Sequence, residues 1–179
     1  VCVPVNLRPY YGSATTKNFF AVVSAMFRAE REDYTFEEVL AQVAESLKSQ
    51  ITKEHLEEIM AYNVSNEKNK ALRATPLFIK NIAMKIIYQM SAKANSGCVT
   101  NLGLVKLASP YDAYVESLYA ILSMSKNQNL KAAVVSYKDT LVFTFSSAVR
   151  EVDVQKVFFR KLAEDGIDVS VETNGVYYE

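Results

Sequence analysis

Leu130-Lys131-Ala132-Ala133-Val134-Val135-Ser136-Tyr137 and Leu141-Val142-Phe143-Thr144-Phe145-Ser146-Ser147 flank the short polar step Lys138-Asp139-Thr140. Two runs rich in apolar and β-branched residues, this close together, read as a β-hairpin. They imply a sheet with an antiparallel part, and the sequence on either side alternates between strand and helix signals. Downstream, Asp153 is placed to cap a helix with Val154, Val157, Phe158 and Leu162 on its inner face and Gly166 at its end. The alternation Ile167-Asp168-Val169-Ser170-Val171-Glu172 then reads as a closing half-exposed strand.

Upstream the mixture continues. Val1-Cys2-Val3-Pro4-Val5-Asn6-Leu7-Arg8 is an apolar strand that begins at once, with no initiator Met. Asn18 to Phe27 reads as a strand buried on both faces. Thr35 with Glu38 is a capping box, and Phe36, Val39, Leu40, Val43 and Leu47 recur on one face of the helix it starts. A second helix begins near Thr52 and carries Leu56, Ile59 and Met60 inward, with Tyr62 a further candidate. Val64 to Lys70 reads as a loop. Thr75-Pro76 opens a helix running to about Met90, with Thr75 as cap and Pro76 at the first helical position. That helix is apolar almost all round (Leu77, Phe78, Ile79, Ile82, Ile86, Ile87), which predicts the most buried helix of the protein. Asn95 to Gly97 breaks it; Gly97 to Asn101 and Tyr114 to Met124 are further strands. The fold class is α+β, helices packed on a mixed, largely antiparallel sheet.

Composition bounds the chemistry. The 179 residues suit one domain, residues 1–179, and half of them are hydrophobic. Lys+Arg and Asp+Glu balance at 20 each, so no basic excess exists to collect phosphates and nucleic acid is not an expected partner. Apolar stretches are interrupted by Lys80 and Lys85 before the length of about 20 residues needed to span a bilayer. With no signal peptide visible, a cytoplasmic protein is expected. Cys2 and Cys98 lack metal-type spacing and read as small buried hydrophobes; no metal site is expected. A disulfide is neither required nor excluded.

Catalytic constellations are scarce. His55 is the only histidine, and its i+3 and i+4 positions hold Glu58 and Ile59, so it reads as a solvated residue in a charged first turn. No Gly-x-Ser-x-Gly elbow is present, and the five glycines form no phosphate loop. Two polar islands interrupt the apolar strands: Asn6-Leu7-Arg8 with Ser13, Thr15, Thr16 and Asn18, and Thr100-Asn101-Leu102-Gly103. Leaving a buried polar group unpaired costs about 1–3 kcal/mol. Such residues are therefore strand-end fasteners or the lining of a cleft.

These islands carry a resemblance. Val3-Pro4-Val5-Asn6-Leu7-Arg8, Ser13, Asn18-Phe19-Phe20 and Thr100-Asn101-Leu102-Gly103 occur in an order similar to the C-terminal half of alcohol acetyltransferases and condensation domains. These are relatives of chloramphenicol acetyltransferase. Ala133 to Tyr137 and Leu141 to Phe145 resemble that family's late paired strands. The resemblance implies two similar α/β halves with a tunnel between them, in which a histidine of a His-x-x-x-Asp motif deprotonates an alcohol or amine that attacks an acyl thioester. The thioester, acyl-CoA or acyl-carrier, is a cosubstrate, and no covalently bound cofactor is implied. His55 is followed four residues later by Ile59, so the motif is absent and the catalytic half is expected upstream of Val1.

What the resemblance implies for this sequence is a C-terminal portion of a CoA-dependent acyltransferase, inactive on its own. Its partners would be the missing N-terminal half and a small alcohol or amine acceptor. Asn6, Arg8, Asn18, Asn101 and Gly103 are the candidates for tunnel-wall or half-to-half contacts, and no residue is a catalytic candidate. The alternatives are a non-catalytic binding or assembly domain of the same fold and an unrelated α+β ligand-binding module. If a half is missing, a face bearing Val3, Val5 and parts of the Pro76–Met90 helix should be bare or covered by a second copy in a homo-oligomer.

Overall fold

The computed structural model describes residues 1–125 and 128–174. In chain order the elements are β1 (Cys2–Asn6), α1 (Arg8–Tyr11), β2 (Phe20–Ser24), α2 (Phe36–Gln50), α3 (Lys53–Lys68), α4 (Lys70–Ala74) and α5 (Leu77–Ala94). Then come β3 (Cys98–Val105), a 3-10 turn at Tyr111–Tyr114, β4 (Leu130–Tyr137), β5 (Thr140–Ser147) and α6 (Asp153–Glu164). Among the described residues the strands form one five-stranded sheet in the order β2-β1-β3-β4-β5. Its edges are antiparallel pairs, β1 with β2 and β4 with β5, while β1–β3 and β3–β4 run parallel. The α+β class holds, with a sheet that is mixed and has its parallel part in the middle.

Period-two alternation decides what each strand buries. Val3 and Val5 of β1 sit opposite Val23 and Ala21 of β2. Ala21 and Val23 join Leu7 and Leu56 in a buried cluster, ringed by Val3, Val5, Tyr11, Phe19, Leu47, Ile51, Ile59 and Met60. Thus α2 and α3 cover one face of the β1–β2 hairpin. At the other end of the sheet, Ala132 and Val134 lie opposite Phe145 and Phe143. The rings of Phe143 and Phe145 meet Phe158 of α6 at 4.3 and 5.4 Å between centroids, so α6 covers that face of the β4–β5 hairpin.

The opposite face of β4–β5 is covered differently. Tyr137 donates its hydroxyl to the Asp112 carbonyl at 3.2 Å, Lys131 reaches the Ser123 carbonyl at 2.8 Å, and Thr144 donates to the Ala120 carbonyl. Residues 115–124 therefore lie over the sheet as an irregular strap fastened by side chains, not as the strand expected over Tyr114–Met124. The apolar residues there supply cover without a ladder. The hairpin itself forms as expected, through a two-residue turn at Lys138–Asp139 with Thr140 already in β5 and Lys138 at φ 51°. A left-handed turn of this length matches the twist of the strands it joins.

Other expectations are corrected. β2 is covered on one face only, by α2 and α3: Ala21 and Val23 are buried there, while Phe20 and Val22 on the other face are about half exposed. Residues 64–68 continue α3 and Lys70–Ala74 form α4, because polar side chains there mark solvent exposure of a helix and not a loop. Tyr62, Phe36, Leu40, Val154 and Val157 point outward. Asp153 is the first residue of α6 and makes no cap; Val152 precedes it. Gly166, at φ 83°, does end that helix, its N–H reaching the Ala163 carbonyl at 3.0 Å. Residues 167–172 form no ladder, whereas β3 runs on to Val105, past the expected Asn101. Pro76, not Thr75, stands at the N-cap of α5, one position before the expected place, and makes no side-chain cap.

The largest departure is α5. Leu77, Ile82, Met84 and Met90 are each 60% exposed or more, so this is not the most buried helix. A helix apolar on all sides specifies how much surface should be covered but not which side packs. Val3 and Val5, expected on the same bare face, instead pack on the Leu7 cluster.

Two measurements check these assignments. Leu56→Ala empties the centre of the β1–β2 cluster, where Leu56 is fully buried, and should lower unfolding free energy by about 2–5 kcal/mol in denaturant titration. The second concerns α2, where the expected capping box forms: Thr35 accepts from the Glu38 N–H, and the Glu38 carboxylate accepts from the Thr35 N–H at 2.9 Å. That backbone donor, and then the Arg31 guanidinium, hold the Glu38 carboxyl below its ordinary range. Its contribution is present above that range and fades as the pH falls through the lowered folded value. Glu38→Gln should therefore lower stability near neutrality and flatten the acid side of the stability–pH curve.

Candidate functional site

Parallel strands point their C-terminal ends the same way, and four of the candidate residues lie toward that side of the sheet. β1 and β3 run the same way from the Cys2–Cys98 pair, so Asn6 and Arg8 leave β1 at the end where Asn101 and Gly103 interrupt β3. Crevices at the C-terminal ends of such strands are the usual place for ligands in open sheets.

Arg8 organises the first island. Its Nε donates to the Thr15 carbonyl at 2.7 Å and its second terminal nitrogen to the Lys17 carbonyl at 2.6 Å. Asn6 Oδ1 accepts from the Arg8 backbone N–H at 3.1 Å and from its guanidinium at 3.2 Å. The loop held in this way is built from local hydroxyl turns: Ser13 Oγ accepts from the Thr15 N–H and Thr15 Oγ1 from the Lys17 N–H. Leu7 N–H closes it on the Phe19 carbonyl at 3.2 Å. Asn18 lies exposed near the loop's end. With its planar fork engaged on two carbonyls and an amide, Arg8 positions the loop; it is not aimed outward as an anion clamp.

The second island is a bulge. On β3 the pairing with β4 steps from Asn101↔Val134 to Leu104↔Ser136, leaving one extra residue on β3. Asn101 Oδ1 accepts the Gly103 N–H at 2.8 Å, and Gly103 takes φ 68°. A side chain at Gly103 would meet nothing within 4 Å, so the backbone angle, not crowding, calls for glycine. Asn101 is exposed. Of the two readings of the islands, fastener describes what Arg8, Asn6 and Asn101 do locally.

His55 sits in the first turn of α3, its Nδ1 3.4 Å from Glu58 Oε2, partly open to solvent as expected. It is not part of the strand-end group. Tyr11 packs at 6.0 Å from the Phe19 ring, and its buried hydroxyl lacks a hydrogen-bond partner. Burial, reinforced by the charge of Glu57, raises the Tyr11 pKa. Among the described residues no group of three or more His, Cys, Asp or Glu side chains is placed to hold a metal ion. A hollow of about 530 Å³ lies away from the strand ends, beside α2, with Arg28, Tyr34 and Glu45 among its lining residues.

Two features escape sequence reasoning. The Thr15 and Lys17 acceptors are backbone carbonyls, so no residue type announces them. Gln50 mimics a strand partner for the β2 edge, accepting from the Ser24 N–H at 3.1 Å and donating to its carbonyl at 2.7 Å. A lone Gln late in a helix carries no signal for that.

Comparison with family models, with curated proteins and with solved structures finds no match for this chain.

The Arg8 geometry is directly testable. Arg8→Lys keeps the charge but loses the fork, and should speed hydrogen exchange at the Ser13, Thr15 and Lys17 amides by about tenfold or more. Exchange in the β4–β5 ladder should stay unchanged.

Proposed function

We propose that this chain is the wall-forming C-terminal half of an acyltransferase resembling the alcohol acetyltransferase and condensation-domain group. The observation that supports this most is that β1 and β3 run parallel, so that Asn6-Leu7-Arg8 and Asn101-Leu102-Gly103 both follow the Cys2–Cys98 pair on the same side of it. In the reaction, an alcohol or amine acceptor loses its proton to a base, attacks the thioester carbonyl of acyl-CoA or an acyl carrier, and expels the thiol. The base comes from the other half. Here the Arg8-held loop and the Asn101–Gly103 bulge shape the wall against which acceptor and donor are oriented.

On this reading the catalytic half also covers the exposed apolar side chains of α5, and the protein works in the cytoplasm. No helix among the described residues is long and apolar enough to cross a membrane. A second reading is favoured by the position of His55, which faces Glu58 and solvent: a non-catalytic binding or assembly domain of the same architecture.

The assay is thiol release from acyl-CoA by the full-length protein, with a panel of small alcohols and amines. The enzyme reading expects acceptor-dependent release that Asn101→Ala or Arg8→Ala weakens by about tenfold to a hundredfold in kcat/KM. Acceptor binding without thiol release would support the binding-domain reading instead. Release that neither variant changes would remove these residues from the wall.

A further inference from the structure

The two cysteines, 96 positions apart in sequence, are brought side by side: Cys2 of β1 and Cys98 of β3 are register partners. Register partners on neighbouring strands point to the same face of a sheet, so the two thiols share one side of the β1–β3 joint. Both are free thiols; Cys2 is buried and Cys98 half-buried. The location matters as much as the distance. β1 and β3 share this single register pair, supported by the Cys2 N–H on the Gly97 carbonyl at 2.9 Å. β1 with β2, and β3 with β4, pair along most of their lengths. The paired thiols therefore sit on the shortest joint of the sheet, where the β1–β2 hairpin with its Leu7–Leu56 core meets the β3-β4-β5 unit.

We infer that Cys2 and Cys98 form an oxidation site for peroxides, closing an intramolecular disulfide that clamps β1 to β3. The chemistry balances in two steps. The Cys98 thiolate, the more accessible sulfur, attacks a peroxide oxygen; the O–O bond breaks, hydroxide leaves, and Cys98 becomes a sulfenic acid. The Cys2 sulfur then displaces the hydroxyl, forming the S–S bond, and its proton leaves with that oxygen as water. Overall two thiols lose two electrons and hydrogen peroxide becomes two waters. Register partners on neighbouring strands stand about 4.8 Å apart across the sheet, within the Cα separation that a disulfide bridges.

The groups around the pair determine its speed. Burial first, then the neighbouring Cys2 thiol, push the Cys98 thiol up to about 11, while Lys131 on β4 opposes that. Little thiolate exists at neutral pH, and the first step quickens as the pH rises toward that value. The site is thus a slow responder that locks once closed.

The test treats the protein with hydrogen peroxide at pH 7 and pH 9, followed by intact-mass measurement and peptide mapping without reductant. Expected are a loss of two hydrogens, a Cys2–Cys98 linked peptide, faster formation at pH 9, and a rise in Tm of roughly 5 °C or more that dithiothreitol reverses. Cys98→Ala should abolish both the link and the Tm rise. Sulfinic acid on either cysteine without a link, or disulfide-linked dimers instead, would overturn the site. A linked peptide with an unchanged Tm would overturn the clamp. The wild-type mapping needs no variant to fold.

Discussion

The parallel pairing of β1 with β3 is the constraint on which the rest of this structure depends. A hairpin can turn straight back, but a strand paired in parallel must first be carried to the far end of its neighbour. The chain leaving Asn6 therefore travels through α1, β2 and four helices before Cys98 can start β3 beside Cys2. That detour builds the Leu7–Leu56 core on one side. It also brings Arg8 and the Asn101–Gly103 bulge to one end of the sheet. The joint is short, so the two parts it unites are each stabilised largely from within: one by α2 and α3, the other by the phenylalanine cluster beneath α6 and the strap of residues 115–124.

The helices show how far local chemistry decides structure. The caps at Thr35 and Thr52 lie where short-range hydrogen bonding puts them, with the Thr52 hydroxyl accepting from the His55 N–H at 3.2 Å. Such signals act over three residues and need no tertiary help. α5 marks the opposite limit. Its apolar residues occupy every side, so the sequence holds a strong signal for burial and none for direction, and the helix lies exposed in this chain. The exposed apolar surface is what the acyltransferase reading assigns to a catalytic half.

At the candidate site the legible part was residue type. Arg8 beside Asn6, and Asn101 two positions before Gly103, stood out as polar interruptions in apolar strands. What they bind was not legible, since Arg8 grips backbone carbonyls of Thr15 and Lys17 and any residue supplies a carbonyl. The Asn101 to Gly103 contact is local and has the form of an Asx turn, yet its effect, a bulge in β3, depends on the β4 ladder opposite.

Taken alone, the amino-acid order determined the α+β class, the β4–β5 hairpin, the capped start of α2 and the start of α3 near Thr52, because alternation, turn residues and caps work over a few positions. Only the tertiary structure decided that the sheet's centre is parallel and that β2 is an edge strand with one bare face. Only it turned Tyr114–Met124 into a strap held by Lys131, Tyr137 and Thr144, and set Cys2 against Cys98. The reason is range: strand order and register arise from contacts between residues distant in sequence, and no local pattern in the chain encodes them.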